Sequence, residues 1–326
     1  TGSADVCQNG ASPGISFKGT NGTPPYIFTY NINGSTSQTI SSDMSGSVIL
    51  PASTTTAGTF IYNLVSVQDA SSSTCSQAQS GSVTILVNPL PSATISGTTS
   101  ICRDEASPQV TFTGSGGTEP YTFTYTIDGA GHYSVSTLSG SSVSIDVPTS
   151  SAGVFTYELV NVQDASSTTC INSQSGTALI TVNELPSTSG ISGDQTPACS
   201  ATGEIYSVTL TPGSSYTWTL PDASTITSGI SGPENNSITV DFGVYNGNIS
   251  VIETNTNGCS GSQVDLPVTL QGCALDANFV ASSTSVCDGY SIVFTDVSTG
   301  TTGSTTYSWN FGTGATPQIL LGIGPH

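Results

Sequence analysis

Basic side chains are nearly missing from this chain. Lys18 and Arg103 are the only two, against 21 Asp and Glu, so the formal net charge is −19 and the isoelectric point is near 4.1. A surface of that sign repels phosphate backbones and anionic lipid, which excludes nucleic acid and anionic membrane surfaces as partners. It also leaves trypsin-like proteases very few places to cut. Histidine is as scarce: His132 sits in the Gly-rich stretch Gly129-Ala130-Gly131-His132, and His326 is the last residue. No His-Glu-x-x-His pair or phosphate-binding Gly-Lys loop occurs. No catalytic residue is therefore expected, and the chain reads as a non-enzyme. No apolar run approaches the ~20 residues that cross a bilayer, so no direct membrane insertion is expected. Long amphipathic helical patterns are lacking as well.

What fills the chain is Gly, Ser and Thr between short β-rich runs, with turn formers at the spacing of an all-β sandwich. One stretch appears twice. Ala57–Cys75 (AGTFIYNLVSVQDASSSTC) returns as Ala152–Cys170 (AGVFTYELVNVQDASSTTC) at a constant shift of 95 residues. The same shift maps Cys7 on Cys102, Pro25-Tyr26 on Pro120-Tyr121, and Leu90-Pro91 on Leu185-Pro186. A period of that length exceeds a solenoid unit and suits one complete small domain. Within it, Phe155, Tyr157 and Leu159 alternate with Thr156, Glu158 and Val160, the period of a strand with one buried face. Tyr26, Phe28, Tyr30 and Ile32 form a second such face, ended by the hairpin signal Asn33-Gly34. Four domains are expected: 1–91 and 92–186 as copies of one immunoglobulin-like unit, 187–272 as a diverged sandwich, and 273–326 as an incomplete fourth. The proline-stiffened linkers at 88–91 and 183–186 should limit bending. Thr1-Gly2-Ser3 aligns with Ser96-Gly97-Thr98, inside a repeat, so a longer parent array is expected.

The eight cysteines follow the period. Cys7 and Cys75 lie 68 residues apart, as do Cys102 and Cys170, while Cys199 and Cys259 lie 60 apart. Three intradomain disulfides are expected from this spacing, each stabilising by ~3–4 kcal/mol. They imply an oxidising, extracellular setting. Cys273 and Cys287 either pair with each other or leave Cys287 to a partner outside the chain. No cofactor is expected, with calcium as the one candidate. The turn after the repeated strand and the start of the first strand should share a pole, which would bring Asp164, Asp104 and Glu105 together. In the first copy Asp69 remains, but Asn9 and Gly10 stand in for the acidic pair. Trp218 and Trp309 lie mid-strand and are expected in cores, like Tyr26, Tyr30, Tyr121 and Tyr125. A sugar-stacking role would require exposed rings.

At Trp309-Asn310-Phe311-Gly312-Thr313-Gly314, preceded by Val293-Phe294-Thr295-Asp296, the chain resembles a PKD domain. Asn310 and Thr313 take the places of that motif's two Asp residues. Tyr216–Leu220, Ser237–Phe242 and Glu253–Cys259 resemble the PKD-like domains that accompany it in large Bacteroidota surface proteins. The 95-residue units, with VQDASSxTC and NxLP, are similar to repeats of SprB-type gliding-motility adhesins. The implied architecture is all-β: tandem immunoglobulin-like and PKD-like β-sandwiches arranged end to end. The implied function is that of an extracellular cell-surface adhesin, exported by type 9 secretion and giving reach, display and adhesion. Its partners would be a surface polysaccharide or other adhesion substrate, and further domains of the same long chain. Two alternatives stand beside it. One is a subunit of a polymeric surface filament that exchanges strands at the fourth domain. The other is a set of accessory binding modules of a secreted polysaccharide-degrading enzyme.

Overall fold

The computed structural model describes residues 1–229, 234–273, 276–287, 289–298, 306–313 and 319–323. Gly314 of the PKD-like motif and His326 lie outside them. Among the described residues every regular element is a strand, and the chain is all-β. It divides into two compact units, Thr1–Val182 and Asn183–His326.

In the first unit the leading repeat supplies β1 (Ala4–Cys7), β2 (Gly14–Lys18), β3 (Ile27–Ile32), β4 (Gln38–Ser41), β5 (Ser47–Pro51), β6 (Gly58–Gln68), β7 (Ser76–Ala78) and β8 (Ser82–Asn88). One sheet runs β1-β8-β6-β3-β4, with β7 on β6, and β2 pairs with β5. The second repeat supplies β9 (Ser92–Ser96), β10 (Thr99–Cys102), β11 (Gln109–Ser115), β12 (Thr122–Ile127), β13 (Ala130–Ser136), β14 (Ser142–Asp146), β15 (Gly153–Gln163), β16 (Ile171–Ser173) and β17 (Thr177–Asn183). Its sheets run β10-β17-β15-β12-β13 and β14-β11-β9. Alternation decides which side chains are enclosed. Tyr26, Phe28 and Tyr30 are buried with Ile15, Phe17 and Tyr62 in the first core. Tyr121, Phe123 and Tyr125 are buried with Phe112, Tyr157 and Leu159 in the second.

Two features shape the repeated strand. Gly58 and Gly153 hold φ at +145° and +154°, a region that side chains avoid, which accounts for the Ala-Gly ahead of each copy. Further on, the register slips between Tyr125↔Leu159 and Thr124↔Asn161, leaving Val160 as an extra residue. The slip between Tyr30↔Leu64 and Thr29↔Ser66 does the same to Val65. These are β-bulges, and beyond the second one Val162 turns into the core.

The second unit contains β18 (Glu204–Ser207), β19 (Ser215–Thr219), β20 (Thr225–Ser228), β21 (Ser237–Asp241), β22 (Gly247–Thr254) and β23 (Val264–Val268), in sheets β18-β21-β20 and β19-β22-β23. Tyr206, Ile238, Val240, Ile249 and Val251 are fully enclosed between them. Residues 273–326 add two antiparallel pairs, β24 (Phe279–Ala281) with β25 (Phe294–Asp296), and β26 (Thr306–Asn310) with β27 (Ile319–Ile323).

Candidate functional site

The disulfides correct the expected pairing. Cys7 is bonded to Cys170, not to Cys75, with 5.6 Å between Cα atoms. Cys199 is bonded to Cys273, not to Cys259. Cys102 and Cys259 are also disulfide-bonded, while Cys75 and Cys287 are exposed free thiols. The reason is strand direction. β1 runs parallel to β8, so Cys7 sits opposite Asn88 where the last strand of the repeat leaves the sheet. β6 runs antiparallel to β8, with Gly58 beside Val87, and its 11 residues carry the chain away from that pole. At about 3.3 Å per residue, Cys75 lies roughly 35 Å from Cys7. The constant 68-residue spacing reports the repeat period, not proximity.

The pole holding Cys7 instead meets the β15–β16 turn of the second repeat. Asn88 Nδ2 donates to Ser167 Oγ at 3.1 Å and to Thr168 Oγ1 at 2.9 Å. Ser167 Oγ donates to Asp5 Oδ2 at 2.6 Å. Thr168 Oγ1 lies 3.2 Å from Cys7 Sγ. The linker is fastened too, since Asn172 Nδ2 donates to the Pro91 carbonyl at 2.8 Å. Consecutive repeats are thus joined by a disulfide, side-chain hydrogen bonds and a tied linker.

Asp164 organises the turn that receives the junction. Its Oδ1 accepts from Ser166 N, Ser166 Oγ and Cys170 N, and its Oδ2 from Thr118 N. Such a carboxylate replaces a backbone turn and fixes where the cysteine points. In the third domain Asn255 takes the same part, its Oδ1 accepting from Asn257 N and Cys259 N.

This geometry also separates the expected calcium ligands. Asp164 lies in the turn at one end of β15. Asp104 and Glu105 follow Cys102 at the other end, where Asp104 N donates to the Thr149 carbonyl. Arg103 pairs with Asp104 at 3.3 Å. Among the described residues no three His, Cys, Asp or Glu side chains converge to hold a metal. His132 lies on β13 and is exposed, three residues past the Asp128-Gly129 turn.

The aromatic candidates are core residues in the three complete sandwiches. Tyr26 is buried, and Trp218 packs against the third core with Nε1 donating to the Asn235 carbonyl at 3.0 Å. No sugar platform forms at either. Trp309 differs. It stacks with Phe311 and contacts Phe279 and Phe294, lining an open cleft of about 520 Å³ with Asp296 and Tyr307.

Residues 184–268 match the family model of the PKD-like domain, so the third domain is PKD-like. No curated protein matches the chain. Similar solved structures include a Ca2+-stabilised adhesin with which an Antarctic bacterium reaches out and binds ice. It is 17% identical over 85% of this chain and 74% of that one, with a TM-score of 0.39. An I-band fragment of titin is 15% identical over 83% and 96%, with a TM-score of 0.46. A 1.5-MDa bacterial ice-binding adhesin is 14% identical over 82% and 93%, with a TM-score of 0.39. At these identities the likeness is one of fold alone.

Proposed function

We propose that the chain is a segment of an extracellular cell-surface adhesin, a non-enzymatic array of four domains at 1–91, 92–186, 187–272 and 273–326. Its work is reach and adhesion to a surface polysaccharide or similar external substrate, in a gliding cell that exports it by type 9 secretion. One observation carries the reading: Cys7–Cys170 joins neighbouring repeats rather than the two faces of one sandwich. A staple across a junction adds little to either core. It keeps consecutive domains from folding back on each other, which a projecting array requires. Disulfides of this kind persist in oxidising, extracellular settings. The strong negative charge supports the same reading by self-repulsion along the array.

The test is made in the cells that produce the protein. Antibody against the first unit should label intact cells, and deletion of the gene should lower attachment to polysaccharide-coated glass and stop cell movement over it. Attachment and movement at the parental level, with no label on intact cells, would overturn the reading.

A second reading is favoured by the open aromatic cleft at Phe279, Phe294, Trp309 and Phe311. A strand supplied by a neighbouring subunit would cover these rings, as in strand addition, and would make the protein a filament subunit. Sedimentation of the purified chain separates the two. Monomers at all concentrations favour the adhesin segment, and concentration-dependent polymers that dissolve when Trp309 is replaced by Ser favour the filament.

A further inference from the structure

The two copies of the VQDASSxTC turn are built alike but are not equally covered. In the first repeat Asp69 Oδ1 accepts from Ser71 N, Ser71 Oγ and Cys75 N, and Oδ2 accepts from Thr23 N. These are the contacts of Asp164 with Ser166, Cys170 and Thr118, shifted by the repeat period. Thr74 and Thr169 share the same unusual backbone, with φ of +42° and +47°. Yet Asp164, Ser166 and Cys170 are buried, at 3%, 6% and 0% exposure, because the pole of the first repeat lies on them. Asp69 and Ser71 are only half-buried, and Ser72, Ser73, Thr74 and Cys75 are exposed.

We propose that the Asp69–Cys75 turn is the docking face for a further repeat of the same kind, joined in tandem ahead of this one, whose first strand ends in a cysteine that bonds to Cys75. A lone exposed thiol would not carry this. The equivalent thiol does, because Cys170, on the same turn with the same hydrogen bonds, is already bonded to the strand-end cysteine of its neighbour. The rest of the face is also in place. Ser72 and Ser73 occupy the positions of Ser167 and Thr168, the hydroxyls that meet Asp5 and Asn88. The incoming pole is therefore specified as a strand-end cysteine, an acceptor two residues before it, and an Asn at the end of the last strand. Bond formation converts two thiols to one disulfide, releasing two protons and two electrons to a small-molecule or protein disulfide, which is reduced to its dithiol. The proposal does not depend on what the array adheres to, so it stands or fails separately from the adhesin reading.

The experiment extends the full chain at its start by a copy of residues 92–186 followed by a copy of residues 92–95, which restores the repeat period. The copied Cys102 becomes the donor; its peptide is distinguishable from that of Cys7, and an Arg103→Lys change in the copy alone distinguishes it from that of the native Cys102. The protein is oxidised with glutathione disulfide, treated with iodoacetamide, and mapped by mass spectrometry. The expected result is a peptide linking Cys75 to the copied Cys102, with alkylation of Cys75 falling more than tenfold from its level in the unextended chain. Cys75 that remains alkylated, or that bonds to its own Cys7 or to a second molecule, overturns the proposal. A Cys75→Ser version of the extended chain keeps the noncovalent face testable. Amide exchange across residues 69–75 should slow at least tenfold relative to the unextended Cys75→Ser chain, and unchanged exchange there also overturns the proposal.

Discussion

Cys7, at the end of the first strand of one sandwich, is bonded to Cys170, at the end of the β15–β16 turn of the next. The bond spans 163 residues and has both repeats between its ends. Disulfides stabilise mainly by restricting the unfolded chain, with measured values of about 2–5 kcal/mol. Cys170→Ser should lower the denaturant stability of the first unit by an amount in that range. Far-ultraviolet circular dichroism should not change, because neither core contains the bond. Loss of the β signal would show that the staple is needed for folding itself.

The free thiols provide a direct check on the pairing. In the folded, unreduced chain of residues 1–326, iodoacetamide should modify Cys75 and Cys287 and leave the remaining cysteines untouched. Protection of Cys75 would restore the intradomain pairing that the spacing suggests, in which Cys75 bonds to Cys7.

Asp164 is buried and accepts from three backbone amides and one hydroxyl. Asp164→Ala strands these donors, and hydrogen bonds to a charged acceptor each contribute about 1.5–3 kcal/mol. A loss of about 3 kcal/mol in unfolding free energy is expected for the first unit. Asp69→Ala removes the same contacts at a half-exposed site, where water replaces them, and should cost clearly less. Equal losses at the two sites would mean that coverage by the neighbouring repeat is unimportant.

Gly193 lies flat against the ring of Tyr206, and a methyl group there would overlap it. Gly193→Ala should destabilise the second unit by about 2–3 kcal/mol, the scale of overpacking in a closed core. A melting temperature within 1 °C of the parent would contradict the close approach (about 1 °C corresponds to a few tenths of a kcal/mol).

Stability should fall at both ends of the pH scale. The hydroxyl of Ser45 holds the carboxyl of Asp43 below the usual value of 3.8, and that of Ser71 does the same for Asp69. Depressed values mean the contribution is present above pH 3.8 and is lost as pH falls through the folded values. In base the sign reverses. Burial, aided by the Glu204 and Asp194 carboxylates, pushes the Tyr206 phenol up to about 12, and its hydroxyl donates to the Asp194 carbonyl at 2.6 Å. Its contribution is complete below pH 10 and is lost as pH rises from 10 to 12. Tyr206→Phe should flatten the alkaline limb of a melting-temperature profile for the second unit. An alkaline limb unchanged by the substitution would assign it to other groups.

Much of the fold could be read from residue order. The period placed the two repeats. Alternation at Tyr26, Phe28 and Tyr30 put those side chains in a core, and Asn33-Gly34 marked a turn whose two residues both hold positive φ. What stayed hidden was relational. Nothing local distinguishes a four-residue strand that pairs parallel from one that pairs antiparallel, yet that choice sends Cys7 to the opposite pole from Cys75. Asp104 and Glu105 were misplaced for the same reason, because they follow the strand-end cysteine of their own repeat. The bulges at Val65 and Val160 also left no mark in the pattern, since a valine fits a strand whether it is paired or extra. The repeat itself held one usable clue: Asn88 and Ser167 are ordinary polar residues whose roles appear only when one copy is laid on the next.

The parallel pairing of β1 with β8 also decides how the first sandwich carries tension. The two strands align from Ala4↔Ile85 to Cys7↔Asn88, so a pull applied ahead of Ala4 and beyond Asn88 slides one strand along the other. The rungs between them are then strained together, not peeled apart one at a time. The sulfur bridge enters at the far end of β1, opposite the residue where β8 leaves the sheet. The second repeat is therefore held to the first by two tethers, the peptide through Pro89–Pro91 and the bridge at Cys170, and a cut in either one leaves the line intact.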